Sequence, residues 1–219
     1  MESEKHFIHS RWAGLAGFAG ALLFFCGDML YYGHWGSGAD FHDNMLATVR
    51  SASLSRLFAG GLIGPVAACL CLIGFWQVRE RITPRSPVLG WLTFVSGAAM
   101  MVAGSAVHAL WVPRGLAYRY AEQAYPAELL SALRDYWQDA YYLAAVPAYI
   151  CALLLFVAVL MGRSLYPRWT VLANFGLLSL LSPLAERVPS PFGRILVGGF
   201  TNLSIATFFL ISALSPWGW

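Results

Sequence analysis

The chain has 219 residues, 58% of them hydrophobic and 11% charged, with a mean hydropathy of +0.60 and a net charge of +3. Soluble domains carry roughly 25% charged residues, so this composition excludes an ordinary soluble protein and indicates an integral membrane protein. The small positive charge is scattered, with no basic stripe, which excludes a nucleic-acid partner.

Met1 to Arg11 is short, polar and mixed in charge. The apolar run after it outlasts a signal-peptide core and lacks a convincing cleavage site, so it reads as a retained first span. A hydrocarbon core of ~30 Å needs about 20 apolar residues in a helix. By that rule six spans are predicted: Trp12–Tyr32, Ser55–Trp76, Val88–Trp111, Tyr141–Met161, Trp169–Ala185 and Ile195–Leu214. The expected fold is all-α, a six-helix transmembrane bundle forming a single domain over residues 1–219. Trp12, Trp76, Trp91, Trp111, Trp169 and Trp217 fall near predicted ends, where indole favours the interface.

Span one closes on Cys26-Gly27-Asp28-Met29-Leu30-Tyr31-Tyr32. An aspartate at the bilayer centre costs roughly 2.5–3.5 kcal/mol, so Asp28 needs a partner, a task or a reach to headgroup water. Arg56 and Arg194 are the structural partners to consider. The loop from Gly33 to Leu54 then holds His34, Asp40, His42, Asp43 and Asn44. Span three carries Gly104-Ser105-Ala106-Val107-His108, with small residues that let another helix approach closely.

The connection from Val112 to Ala140 is the longest. Pro126 suits a first helical position, and Leu129, Leu130, Leu133 and Trp137 follow at helical spacing. A short amphipathic helix feeding span four is expected there, with Pro147 kinking that span or marking a packing change. Asp135 and Asp139 share one helix face at i, i+4. Glu186 and Arg187 precede Pro189, and Asn202 lies one turn inside Gly198-Gly199. Arg56 with Gly60-Gly61 and Arg194 with Gly198-Gly199 open spans two and six alike, which reads either as parallel repeats or as chance.

Basic residues tie at seven on each side of this topology. The compact, arginine-dense Arg79–Arg85 turn places both termini in the cytoplasm, as in a bacterial inner-membrane protein. Asp28, His108 and Glu186 then end the outward spans, and Arg56, Asp139 and Arg194 begin the inward ones. The inward halves are almost purely apolar. The asymmetry predicts a polar pocket opening outward between the helices.

Asp28, His108, Asp139 and Glu186 are the candidate catalytic residues. Tyr31, Tyr32, Trp111, Trp137 and Tyr142, with Arg56, Arg194 and Asn202, are the candidate ligand contacts. The aromatics read either as an interfacial belt or as a pocket for an amphiphile or cation. His34, His42 and His108 have no ligand spacing, so neither a metal nor another cofactor is expected. The four cysteines show no C-x-x-C spacing and read as small hydrophobes.

Several short motifs carry a resemblance. They are Gly27-Asp28-Met29-Leu30-Tyr31, Arg56-Leu57 with Gly60-Gly61 and Gly64-Pro65, Gly74-Phe75-Trp76, Leu165-Tyr166-Pro167-Arg168-Trp169, and Gly198-Gly199-Phe200 with Asn202. Together they resemble a family of uncharacterised bacterial six-span membrane proteins, a domain-of-unknown-function group. The resemblance implies a membrane bundle and supplies no activity.

Three functions remain open at this point. One is an enzyme using carboxylate and histidine acid–base chemistry on a lipid-like or isoprenoid-like molecule that enters from the membrane. Another is a proton-coupled transporter or amphiphile-binding protein. The last is a structural or accessory membrane protein whose charges only pair with one another. Membrane lipid is the partner expected in every case.

Overall fold

The computed structural model describes residues 2–124 and 127–215, giving the backbone alone for 2–10 and 121–124. Pro126 and Trp217 lie outside the described residues. The chain is helical: α1 (Glu2–Tyr32), α2 (Phe41–Ser51), α3 (Leu54–Ile82), α4 (Pro87–Ala124), α5 (Ala127–Leu160), α6 (Phe175–Ser179), α7 (Ser182–Ala185) and α8 (Gly193–Leu214), with 3-10 turns at Gly38–Asp40 and Arg168–Ala173.

Among the described residues five helices, α1, α3, α4, α5 and α8, are long and apolar enough to cross a membrane. The stretch read as a fifth continuous span, Trp169–Ala185, is instead three short pieces: the second 3-10 turn, α6 and α7. Local chemistry explains the breaks. Asn174 stops the 3-10 turn and caps α6, accepting from the Gly176 and Leu177 N–H groups at 2.9 and 3.3 Å. Its amide also donates to the Ala152 carbonyl of α5 at 2.9 Å. Ser182-Pro183 then begins α7, since proline suits a first turn and not a helix interior.

The predicted amphipathic helix is not separate, because α5 runs unbroken from Ala127 through Pro147 to Leu160. Likewise α4 continues past Trp111 to Ala124. Trp12, Trp76, Trp91 and Trp169 are exposed, Trp12 at the start of the apolar stretch of α1 and the others near helix ends, as interfacial indoles should be. Trp111 is the exception and is buried.

Neighbouring helices pack in the order α8, α1, α3, α4, α5. Between α1 and α3 the backbones meet at glycines: a methyl on Gly74 would lie 2.7 Å from the Gly17 Cα and 2.6 Å from the Phe209 ring. The core of this half is aromatic, with Phe75 packed on Phe175 and Phe209. The two Gly-Gly pairs serve a common purpose. Gly60 receives the ring of Tyr31, whereas Gly198 receives that of Tyr32, so α1 seats its last aromatics against both α3 and α8.

The bundle has two distinguishable ends. At one, α2 and the 33–53 connection lie across the helices, and Gly36 bridges to Phe192 just before α8. At the other, near both chain termini, Leu165 N–H donates to the Arg81 carbonyl at 2.7 Å and Arg85 reaches Gly162. The broken segment from Leu165 to Phe192 therefore begins at the terminal end and finishes at the α2 end.

The terminal half is less apolar inside than its sequence suggests. Gln77 and Arg81 of α3 are fully buried. The Ser212 hydroxyl donates to Gln77 Oε1 at 2.8 Å, so the Tyr166 hydroxyl, 2.6 Å away, is the donor to Ser212. The guanidinium of Arg81 lies over the Tyr166 ring at 4.9 Å and donates to the Ser215 carbonyl at 3.1 Å. This polar knot closes the terminal end of the bundle.

Candidate functional site

Asp28 stands one turn before the end of α1, turned inward and only 7% exposed. Its Oδ2 accepts from Asn202 Nδ2 of α8 at 2.6 Å. On the other side His108 Nε2 of α4 lies 3.5 Å from Oδ1, too long for a good hydrogen bond and short enough for strong electrostatic coupling. A carboxylate held along one edge thus faces an imidazole along the other.

Three contacts hold His108 in place. The ring lies against Gly27, where an added methyl would come within 3.0 Å of Nδ1. Phe24 packs on it at 4.8 Å between centroids. The Tyr31 hydroxyl donates to the His108 carbonyl at 2.5 Å, tying α1 to α4. Nδ1 itself is buried and makes no hydrogen bond.

This pair forms the polar wall of a half-open cavity of about 410 Å³ lined by α1, α2, α4, α5, the broken segment and α8. The volume lies in the range of small-molecule sites, and such sites pair an apolar lining with a few convergent polar groups. Towards α2 the lining is a run of aromatic rings. Tyr32 meets Trp111 at 5.6 Å, Trp111 meets Trp137 at 5.1 Å, and Tyr141 stacks on Trp137 at 5.6 Å. Deeper in, Met100, Met101, Phe175 and Ile205 make an apolar floor. Gly104 faces the space, and a methyl there would meet nothing within 4 Å.

Of the four acid–base candidates, the structure brings Asp28 and His108 together. Asp139 is exposed on α5 and Glu186 is exposed beyond α7, 3.6 Å from His42, and neither lines the cavity. The reason is helical phase: on α5 the cavity face is Trp137, Tyr141, Ala144 and Ala148, and Asp139 falls about 160° from Tyr141 around that helix.

The candidate ligand contacts divide in the same way. Tyr32, Trp111, Trp137 and Asn202 line the cavity. Tyr31 is buried behind it, and Tyr142 is exposed and takes a hydrogen bond from Gln138. Neither arginine pairs with Asp28. Arg56 donates to the carbonyls of Leu30, Met29 and Gly33, satisfying orphan acceptors at the end of α1 where a cation is favoured. Arg194 packs against Gly36 at the start of α8.

Sequence reasoning missed Phe24, Met100, Met101, Gly104, Phe175, Ser179, Ser182 and Thr201, which all line the space. One signal could have found the α4 set. Residues 100, 101, 104, 107, 108 and 111 form a single stripe at helical spacing, so placing His108 inward places the others too.

Residues 1–216 match the model of a family of unknown function (DUF6796), and the chain belongs to that family. No curated protein and no solved structure matches it.

Proposed function

We propose that this protein binds a lipid-like or isoprenoid-like amphiphile in the cavity and exchanges a proton with it through Asp28, with His108 as the partner base. The observation that carries the reading is the inward Asp28, held by Asn202 and facing His108, on the wall of a mostly apolar cavity inside a membrane bundle. Burying a carboxylate among apolar groups is costly, and chains keep such groups where they have a task.

The proposed topology has six crossings, the fifth being the broken segment, with both termini cytoplasmic and the cavity opening towards the outer face. Support comes from the two ends of that segment, which contact opposite ends of the bundle at Arg81 and Gly36. A discontinuous crossing beside a polar site also occurs in transporters, which is the second reading. Against a transport path stand the buried aromatics Phe75, Phe175 and Phe209 and the Gln77–Ser212–Tyr166 knot, which fill the terminal half.

The test uses the full chain purified in nanodiscs and supplied with a polar lipid extract of the expression host in D₂O. The parent should retain an amphiphile above its share of bulk lipid and introduce deuterium into it. Asp28→Asn should retain the molecule without exchange, and Gly104→Phe, which fills the cavity, should lose it. Equal retention by the parent and Gly104→Phe would sink the binding site, and unchanged exchange in Asp28→Asn would sink the chemistry.

A further inference from the structure

Beside the start of the broken segment, at the terminal end of the bundle, lies an arginine cluster that the cavity does not use. Two connections meet there, 83–86 between α3 and α4 and 161–167 after α5. Each places an arginine directly after a proline, Pro84-Arg85 and Pro167-Arg168. The α5 helix closes on Gly162 in the left-handed region (φ 67°), and the N–H of Arg163 returns to the Ala158 carbonyl at 2.7 Å. Arg85 Nη1 donates to the Gly162 carbonyl at 3.3 Å, and Arg168 Nη2 would lie 3.9 Å from a methyl on Gly162. Two guanidinium groups thus flank one glycine, their nearest nitrogens within about 10 Å of each other, and Arg163 follows that glycine directly.

Among the described residues no carboxylate answers this charge. Arg85, Arg163 and Arg168 are exposed, and the side chains of Arg163 and Arg168 make no hydrogen bond or ion pair there. Glu80 is the described carboxylate at this end, and Arg79 holds it. At about one Debye length the repulsion between like charges is not screened away, so an anion between them is favoured. The surface beside them is apolar: Met161, Trp169 and Leu172 are 64%, 54% and 72% exposed. Cations set next to an exposed indole and bare aliphatic side chains, at the end of a spanning helix, match both halves of a phospholipid. Guanidinium groups suit phosphate oxygens, and basic pockets between helices at a membrane surface take anionic headgroups.

We propose that Arg85, Arg163 and Arg168 bind the phosphate headgroup of an anionic phospholipid whose acyl chains lie against Trp169 and Leu172. None of these residues lines the cavity, so the site stands apart from the amphiphile reading. A headgroup bridging Arg85 and Arg168 would tie the α3–α4 connection to the first turn of the broken segment.

The experiment is native mass spectrometry of the full chain, stripped of lipid in a mild detergent. It is titrated with phosphatidylglycerol, with phosphatidylcholine of the same chains, and with glycerol phosphate, a headgroup without chains. The parent should bind the first phosphatidylglycerol at least tenfold more tightly than either other probe. Arg163→Gln with Arg168→Gln should lower that affinity at least fivefold and leave phosphatidylcholine unchanged. Arg134→Gln with Arg187→Gln removes the same charge from exposed positions outside the cluster and should change it less than twofold. If the first pair does not fold, Arg168→Gln alone should lower the affinity at least twofold. A parent that binds both lipids alike overturns the proposal, as does an equal loss in the two double variants or no loss in the first. Glycerol phosphate binding as tightly as phosphatidylglycerol would make this a free-anion site and overturn it too.

Discussion

Replacing Asn202 by leucine isolates the contact that fixes Asp28. The substitution removes the 2.6 Å donor to Oδ2 and leaves His108 at 3.5 Å and the Tyr32 hydroxyl as the remaining polar neighbours. Hydrogen bonds to charged groups contribute roughly 1.5–3 kcal/mol, and stranding a buried charge costs about 3–5 kcal/mol. His108 still offers partial compensation, so a loss of roughly 1.5–3 kcal/mol is expected for Asn202→Leu. Replacing both partners, Asp28→Leu with Asn202→Leu, removes the charge together with its donor and should restore most of that loss. Arg56 supplies the contrast. It binds the carbonyls of Met29, Leu30 and Gly33 and shares no partner with the Asp28 carboxylate, so Arg56→Gln and Asp28→Leu should add to within about 0.5 kcal/mol. The assay is reversible unfolding of the full chain in mixed micelles, read as two double-mutant cycles. Asn202→Leu as stable as the parent, or coupling between Asp28 and Arg56 as large as that between Asp28 and Asn202, would refute the reasoning.

Three further outcomes follow from the packing. Gly74→Ala drives a methyl to 2.6 Å from the Phe209 ring and should cost about 1–3 kcal/mol, whereas Gly104→Ala enters open space and should stay within ~0.5 kcal/mol of the parent; equal melting shifts would contradict this packing. Ser212→Ala orphans Gln77 Oε1 and the Tyr166 hydroxyl, leaving the Gln77 amide on the Ser212 carbonyl, and should destabilise by about 1–3 kcal/mol. Single cysteines replacing the exposed Arg163 and Arg187 should label from opposite sides of the membrane, and labelling from one side would remove the fifth crossing.

Much of this arrangement is written in the sequence at the level of composition. The apolar runs locate α1, α3, α4, α5 and α8, and the rarity of intramembrane acid singles out Asp28. Local pattern could not supply rotation. Counting along the spans puts Asp139 and Glu186 near the depth of Asp28, yet such counting says nothing of which way a helix faces, and neither residue lines the cavity. Arginine partners were equally out of reach. Arg56 is drawn to backbone carbonyls at the end of α1, acceptors that every helix carries and no residue letter announces. The break in the fifth stretch was partly visible in Asn174 and Pro183, but their apolar neighbours satisfy a hydropathy window without being one helix.

That break and the cavity have a common physical origin. Irregular backbone at membrane depth is tolerated only where its polar groups find partners inside the protein. Here Asn174 meets two N–H groups of α6 and the Ala152 carbonyl, and the Ser179 hydroxyl returns to the Phe175 carbonyl at 2.6 Å. A break satisfied in this way lets the chain swing aside between α5 and α8, where a straight helix would fill the gap. Gly176, Ser179 and Ser182 then line the opened space with small groups, opposite Gly104 of α4. Volume is thus created on two facing walls, while Asp28, His108 and Asn202 stay on unbroken helices that hold them to fixed distances. A rigid polar wall set against a roomy apolar one can orient a molecule by its polar part and accommodate its chain, which is the division of labour that the proposed amphiphile requires.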